Sequence, residues 1–350
     1  MLKSLYRTAR AESLPETISL QIGEQRLELH KISSLRYGEN PHQSAAHYGP
    51  QSLTWIKDGK GGPSWTNLAD IDQACKILRF MDQPAALVMK HLNPSGAAQL
   101  SAALDLATVY RGARECDSRS AFGGVAVLNR RVDAATAEAI LEGFVEVVAA
   151  PDFSPRALEL LQAKKDLRLA KISAPQELPR FHGDPVIPEV RFLTDGSCLV
   201  QDPFLSRVRG AGDLIERPVV EGVQAEHVPD EVEREDLLFA WYVTTGVRSN
   251  GIVIAKQGRT LAVGTGQQER VGAVEQAIAR AKQRGHDLEG AVLASDGFFP
   301  FRDSLDLLAK VGIRAVVQPG GSVRDREVIE AANEHGMAMV FSGERCFGHF

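Results

Sequence analysis

The segment Ala85-Ala86-Leu87-Val88-Met89-Lys90-His91-Leu92-Asn93-Pro94-Ser95-Gly96-Ala97-Ala98 passes from an unbroken apolar run into two basic side chains and then a turn. A short apolar run bounded by turn residues predicts a fully buried strand over 85–89. Asn93-Pro94 marks the turn, and the small residues after it predict the start of a helix. Lys90 and His91 then stand at a strand C-terminus, where α/β folds collect their ligands. An imidazole titrates near ~6.5 and serves as base and acid close to neutrality. A neighbouring ammonium stabilises developing negative charge. The plain alternative is a solvated lysine beside a histidine at the edge of the core.

Outward from this segment the same alternation recurs. Gly124-Val125-Ala126-Val127-Leu128 predicts a second buried strand. Gly251–Ala255 and Thr260–Val263 flank Lys256-Gln257-Gly258-Arg259, a hairpin with glycine in its turn. Further strands are expected over Ala291–Ala294, Arg314–Val317 and Met337–Phe341. Val271, Val274, Ala277, Ile278 and Ala281 fall at spacings of three and four, an amphipathic helix face. Arg324–His335 reads likewise, with Gly336 as its stop. Strands alternating with helices define an α/β class. Ser173–Pro188, with Pro175, Pro179, Pro185 and Pro188, reads as a linker or domain seam.

The chain has 350 residues, and at ~150 residues per domain that predicts about two. The net charge of −5 argues against a general nucleic-acid binder. Cys75, Cys116, Cys198 and Cys346 form no paired spacing, so neither a structural zinc nor disulfides are expected. The opening MLKSLYRTARAESLPE lacks the apolar core of a signal peptide, and no stretch reaches the ~18 apolar residues of a membrane span. The expectation is a cytoplasmic protein.

Four more segments join polar side chains to tight turns. Leu35-Arg36-Tyr37-Gly38-Glu39-Asn40-Pro41-His42-Gln43 presents a guanidinium suited to phosphate, or is a surface loop with a structural Asn-Pro turn. Asp117-Ser118-Arg119-Ser120-Ala121-Phe122-Gly123-Gly124 lets backbone approach a flat ligand, or is a β-bulge or a tight turn. Ser249-Asn250 pairs with Gly264-Thr265-Gly266-Gln267-Gln268-Glu269-Arg270, whose glycines precede a helix start able to meet an anion. It is neither a dinucleotide fingerprint nor a Walker loop, and a plain strand-to-helix turn is the alternative. Ser295-Asp296-Gly297-Phe298-Phe299-Pro300-Phe301-Arg302-Asp303-Ser304, with Pro319-Gly320-Gly321-Ser322, offers an aromatic wall with polar anchors, or a satellite core cluster. The tail Ser342–Phe350 follows a strand and carries two phenylalanines beyond it, so it is expected to dock.

LRYGENPHQ, KHLNPSGAA, SAFGG, SN followed by GTGQQER, and SDGFFPFRDS with PGGS stand in this order. The set resembles the AICAR transformylase part of the bifunctional purine-biosynthesis enzyme that also contains IMP cyclohydrolase. The likeness runs from about Leu35 to His349. It implies two cytidine-deaminase-like α/β/α domains, over 35–175 and 176–350, behind an N-terminal extension of 1–34. It implies transfer of a formyl group from 10-formyltetrahydrofolate to the 5-amino group of AICAR, giving FAICAR and tetrahydrofolate. It further implies a homodimer with shared active sites and no membrane or nucleic-acid partner. The zinc-deaminase signature is missing, so the deaminase likeness is one of fold alone.

By motif, the resemblance makes Lys90 and His91 the catalytic pair and sets Asn250 near the transferring formyl group. Arg36 and Tyr37 match phosphate-gripping residues. Arg345, from the partner subunit, matches a second phosphate arginine, with Phe347 and His349 beside it. Asn67, Phe122, Gly123 and Glu146 match nucleotide contacts. Phe298 counts with the nucleotide residues and opens the folate side, followed by Arg270, Pro300, Phe301, Asp303 and Ser322. Some members hold a structural potassium ion near Ser249 and the tail. With only about 34 residues before LRYGENPHQ, the resemblance implies a transformylase without its cyclohydrolase domain. The sequence departs from its relatives at Thr244-Thr245-Gly246-Val247-Arg248, where a lysine and an aromatic or histidine usually stand. It departs again in its ERCFGHF ending. A formyltransferase for another amino-heterocycle and a non-catalytic nucleotide-binding relative are the competing readings.

Overall fold

The computed structural model describes residues 14–50, 53–99 and 105–349. Strands β1 (Thr17–Ile22), β2 (Gln25–Ser34) and β3 (Ala46–Tyr48) form a small antiparallel sheet. β4 (Leu53–Lys57) leads into helix α1 (Trp65–Leu78), which Ser64 caps in a reciprocal box with Asn67. The hairpin β5 (Ala85–Lys90) and β6 (Asn93–Gln99) follows, then α2 (Leu106–Glu115) and the short α3 (Ser118–Ala121). Next come β7 (Gly124–Leu128), α4 (Ala134–Leu141), β8 (Val145–Ala150), α5 (Pro155–Gln162) and β9 (Arg168–Ile172). Two hairpins, the exposed β10 (Glu189–Phe192) with β11 (Cys198–Gln201) and the half-buried β12 (Val219–Val220) with β13 (Val223–Gln224), lie in the intervening stretch. Then α6 (Glu231–Thr244) leads to the hairpin β14 (Ile252–Lys256) and β15 (Arg259–Gly264). The chain ends with α7 (Arg270–Arg284), β16 (Val292–Ser295), α8 (Asp303–Ala309), β17 (Ala315–Gln318), α9 (Asp325–Glu334) and β18 (Ala338–Phe341).

Eleven of these strands make one mixed sheet, in the order β18-β17-β16-β14-β15-β6-β5-β7-β8-β9-β4. It contains the same arrangement twice. In each set a helix precedes an antiparallel hairpin, a third strand pairs antiparallel to the first, and two more add in parallel through helices. The sets meet where β15 runs antiparallel to β6, with Arg259 opposite Ala98. One set is therefore turned end for end against the other, and their hairpin turns point to opposite ends of the sheet.

Both sheet faces are covered, so the central strands read as continuous apolar runs. On one face, Ile77 and Leu78 of α1 and Leu237 and Trp241 of α6 share one core with Leu87, Met89, Val253 and Val292. On the other, Val109 and Tyr110 of α2 and Ile140 of α4 cover the first set. Val274, Leu305 and Ile329 cover the second. No helix among the described residues is long and apolar enough to cross a membrane.

The expected helix after Asn93-Pro94 is instead strand β6. Its small residues serve a close approach. A Cβ on Gly96 would lie 2.0 Å from the carbonyl oxygen of Ala113, so α2 packs directly on this strand. All the other strands expected above are present, as are both helices.

Candidate active site

Lys90, the last residue of β5, sits where three neighbouring strands begin. Because β7 runs antiparallel to β5 and β8 and β9 follow β7 in parallel, Gly123, Glu146 and Arg168 line up beside it at strand N-termini. Within this first set the expected gathering at strand C-termini holds for β5 alone, since β7, β8 and β9 all run antiparallel to it.

The ammonium of Lys90 donates to the carbonyl oxygens of Gly123 at 2.7 Å and Phe122 at 3.2 Å. Gly123 has φ +68°, a left-handed conformation suited to glycine. Phe122 is 66% exposed and packs on Phe144 with ring centroids 5.1 Å apart. An aromatic wall therefore stands beside the cation.

His91 and Leu92 form the two-residue turn between Lys90 and Asn93, with φ +53° and +65°. The His91 side chain is exposed. From α1, Asp70 accepts the Leu92 N–H at 2.6 Å, and Asn93 donates its side-chain amide to the His91 carbonyl at 3.1 Å. Burial holds the Asp70 carboxyl up at about 6; the Leu92 amide, His91 and Lys90 pull it down, and Glu146 pushes it up. Glu146 also acts on Arg168, whose guanidinium burial makes more acidic, with Arg36 and Tyr37 in the same field. Lys90, His91, Asp70 and Glu146 thus share one electrostatic neighbourhood, and Glu146, Arg168 and Arg36 another that overlaps it at Glu146.

Arg36 lies with its guanidinium 5.2 Å from the Tyr37 ring centre. Behind it, Arg168 donates to the carbonyls of Gly62 at 2.8 Å and Lys60 at 3.1 Å. This grip fixes the loop in which a Cβ on Gly61 would stand 3.2 Å from Arg36 Nε. Asn67 is buried, its side chain engaged in the Ser64 cap at 3.1 Å.

A second cluster stands at the same end of the sheet in the other set. Arg270 is buried and ion-paired with fully buried Asp296, and it donates to Asn250 Oδ1 at 2.8 Å. Both amide hydrogens of Asn250 go to backbone, to Gln267 at 2.9 Å and Gln268 at 3.1 Å. The Ser249–Asn250 peptide is cis. The tail docks as expected: Ser249 N–H donates to the Gly348 carbonyl at 2.9 Å, and Cys346 N–H to the Asp296 carbonyl at 3.1 Å. Arg345 is exposed and lies 4.9 Å from the Phe347 ring centre, and Phe347 meets His349 edge to face.

Asn93 joins the two clusters. Its Oδ1 accepts the Thr265 hydroxyl at 2.6 Å and the Arg248 N–H at 3.1 Å. The folate-side residues lie apart. Phe298, Pro300, Phe301 and Asp303 follow β16, four strand spacings from β5, roughly 19 Å along the sheet. The three phenylalanines divide: Phe299 is fully buried, while Phe298 and Phe301 face outward. Phe301 carries Arg324 4.8 Å from its ring centre, and Ser322 Oγ accepts the Arg324 N–H at 3.1 Å. Asp70 and Arg168 were not singled out by the sequence, and Asn93 was read only as part of a turn. Among the described residues no group of three or more His, Cys, Asp or Glu is placed to hold a metal ion.

A mixed α/β fold thus brings a lysine-histidine turn, an aromatic wall and two buried arginines to one end of its sheet. The chain belongs to the AICARFT/IMPCHase bienzyme family, whose profile matches residues 3–280. It is 43% identical to the bifunctional purine biosynthesis protein PurH of Magnetococcus marinus, over 99% of this chain and 64% of that protein. It is 45% identical to PurH of Sorangium cellulosum, over 92% of this chain and 60% of that protein. The chain thus spans about three fifths of the length of these relatives. A diaminohydroxyphosphoribosylaminopyrimidine deaminase/5-amino-6-(5-phosphoribosylamino)uracil reductase of Thermotoga maritima aligns at 27% identity over 27% of this chain and 31% of that one, with a TM-score of 0.23.

Proposed function

We propose that this chain is an AICAR transformylase, carrying a formyl group from 10-formyltetrahydrofolate to the 5-amino group of AICAR. The observation that carries the reading is the Lys90–His91 turn, with its ammonium held by the Phe122 and Gly123 carbonyls and its imidazole open to solvent. KHLNPSGAA forms this turn and SAFGG the loop beside it, while SDGFFPFRDS and PGGS lie farther along the same end of the sheet. Each set of five strands is read as one cytidine-deaminase-like unit.

The acceptor amine is weak, because its lone pair is drawn into the imidazole ring and toward the carboxamide. Its nitrogen attacks the formyl carbon, and His91 takes the amine proton. Lys90, positioned by its two carbonyls, stabilises the oxyanion of the tetrahedral intermediate. The bond to the folate nitrogen then breaks as that nitrogen regains a proton. Arg36 and Tyr37 bind the ribotide phosphate, Asn67, Phe122, Gly123 and Glu146 surround the base, and Phe298, Pro300, Phe301, Asp303 and Ser322 receive the folate. Asn250 and Arg270 shape the floor on which the formyl group is read. Beside Ser249 both Asp296 oxygens accept hydrogen bonds, one from Arg270 and the other from Ser249 and Gly251. No step depends on a potassium ion.

The distance between Phe301 and Lys90 favours a site completed by a second copy, with Arg345 supplied by the partner. The β10–β11 hairpin supports a homodimer, since Phe192, Leu199 and Val200 are exposed on it. The same reading sets the reaction in the cytoplasm. The test is tetrahydrofolate release followed by absorbance with AICAR present. Turnover is expected, and His91→Ala should lower kcat by about 10²–10⁴. Faster turnover of another amino-heterocycle, or none of any, would overturn the reading.

A further inference from the structure

We propose that Asp70 is a positioning residue for His91: reaching from α1, its carboxylate pins the Leu92 amide and so holds the His91-Leu92 turn in two left-handed residues with the imidazole turned outward. The inference rests on the reading of Lys90 and His91 as the reactive pair.

A two-residue hairpin turn with both φ values positive is the habitat of Asn-Gly and its kin. Histidine enters that region more readily than most residues, but leucine, at φ +65°, tolerates it poorly. Such a turn persists only when its surroundings over-determine it. Asp70 provides the hold, with Oδ1 2.6 Å from Leu92 N in a buried setting.

The second set of strands supplies an internal comparison. Asp70 is the sixth residue of α1, and Asp236 is the sixth of α6. Each lies 22 residues before the second residue of its hairpin turn. Asp236 accepts from Gln257 N–H at 2.6 Å and Gly258 N–H at 2.7 Å, in a turn with φ +53° and +70°. Lysine repeats as well: Lys256 donates to the Glu289 carbonyl at 2.6 Å, beside left-handed Gly290. The device is therefore an aspartate brace on a Lys-X-X turn. Where the turn holds Gln-Gly, glycine meets the backbone demand. Where it holds His-Leu, leucine stands in glycine's place and the brace bears the whole demand. Burial raises both carboxyls. Asp70 alone faces Lys90, His91 and Glu146.

The experiment compares Asp70→Ala, Asp70→Asn, Leu92→Gly and the double variant Asp70→Ala/Leu92→Gly. It reads kcat and KM for AICAR, melting temperature, and hydrogen exchange at the residue-92 amide. Asp70→Ala should lower kcat about 10- to 100-fold with the nucleotide KM little changed. Asp70→Asn, which keeps an acceptor, should retain most activity. Leu92→Gly alone should behave as wild type, and in the double variant it should restore most of the lost kcat. A general structural role would not be rescued by glycine at position 92. An unchanged kcat in Asp70→Ala, or a folded double variant without rescue, overturns the proposal. If Asp70→Ala fails to fold, the double variant decides: folded and active supports the brace, and unfolded or inactive overturns it. If the wild type transfers no formyl group, or His91→Ala keeps its kcat, the functional reading fails instead. Amide exchange then decides the brace, which requires faster exchange at Leu92 in Asp70→Ala and not in Asp70→Asn.

Discussion

The ammonium of Lys90 lies 2.7 Å from the carbonyl oxygen of Gly123, and a Cβ on that glycine would stand 3.2 Å from the same nitrogen. Strand end and loop are thus fitted to each other through a residue without a side chain. Gly123 is also tied to the loop just before β8 by its N–H, which donates to the Phe144 carbonyl at 2.7 Å. Gly123→Ala is expected to cost about 1–2 kcal/mol for its left-handed backbone. It should also displace the ammonium and lower kcat roughly tenfold or more. Steady-state kinetics beside urea melts separate the two effects. A kcat equal to wild type would show that the position of Lys90 is not set by this loop.

The Asp70 carboxyl gives stability a pH dependence of known sign. Burial raises it from an ordinary value of 3.8 to about 6. In that window the folded chain holds a proton that the unfolded chain has released. The contribution is therefore full below pH ~4 and is lost as pH rises through ~6, for a total of roughly 3 kcal/mol. Asp236 adds a slope of the same sign. Asp70→Asn should flatten the decline between pH 4 and 6.5 while leaving the Asp236 share. Urea denaturation across that range checks it, and parallel pH profiles for variant and wild type would count against a buried, raised carboxyl at position 70.

The sequence revealed the fold wherever an element depends on its own residues. Ala85–Met89 and Val292–Ala294 are apolar on both faces because both sheet faces are covered. It failed at β6, whose Pro, Ser, Gly and Ala answer to the approach of α2 and not to any strand propensity. The duplication was hidden for a related reason. Lys90-His91-Leu92-Asn93 and Lys256-Gln257-Gly258-Arg259 share one side chain, and what they have in common is a backbone conformation and an aspartate more than 20 residues earlier. Lys90, His91 and Arg36 stood out beside turn residues that mark exposed loops. Asp70 and Arg168 did not, and Asn93 did only as a turn residue, because each acts on the backbone of a distant segment.

Asn93 is the clearest such residue. Its oxygen holds Thr265 and Arg248 in the second set, while its nitrogen holds the His91 carbonyl in the first. Asn93→Ala removes all three bonds together and leaves the Arg248 amide without a protein partner. A loss of about 1–3 kcal/mol in stability is expected, with a fall in kcat because the His91 turn and the Asn250 loop separate. Thr265→Val, which removes one of the three, should show a smaller share of both effects. Equal effects from the two variants would show that Asn93 does not join the sets.

Arg168 differs in kind, because it supports binding and lies away from the reacting atoms. It is 6% exposed, with Nε on the Gly62 carbonyl and Nη2 on that of Lys60. Gly59 permits the contact: its φ is +62°, and a Cβ there would lie 2.9 Å from Arg168 Cγ. Lysine in its place keeps the charge but not the planar fork that spans two carbonyls. Arg168→Lys should therefore free the loop behind Arg36 without touching the Lys90 turn. The nucleotide KM should rise about tenfold, the equivalent of ~1.4 kcal/mol, with kcat close to wild type. The rise should match that of Arg36→Lys in direction and be absent toward a substrate without its phosphate. A fall in kcat at unchanged KM would place Arg168 with the reacting residues and leave Arg36 without its support.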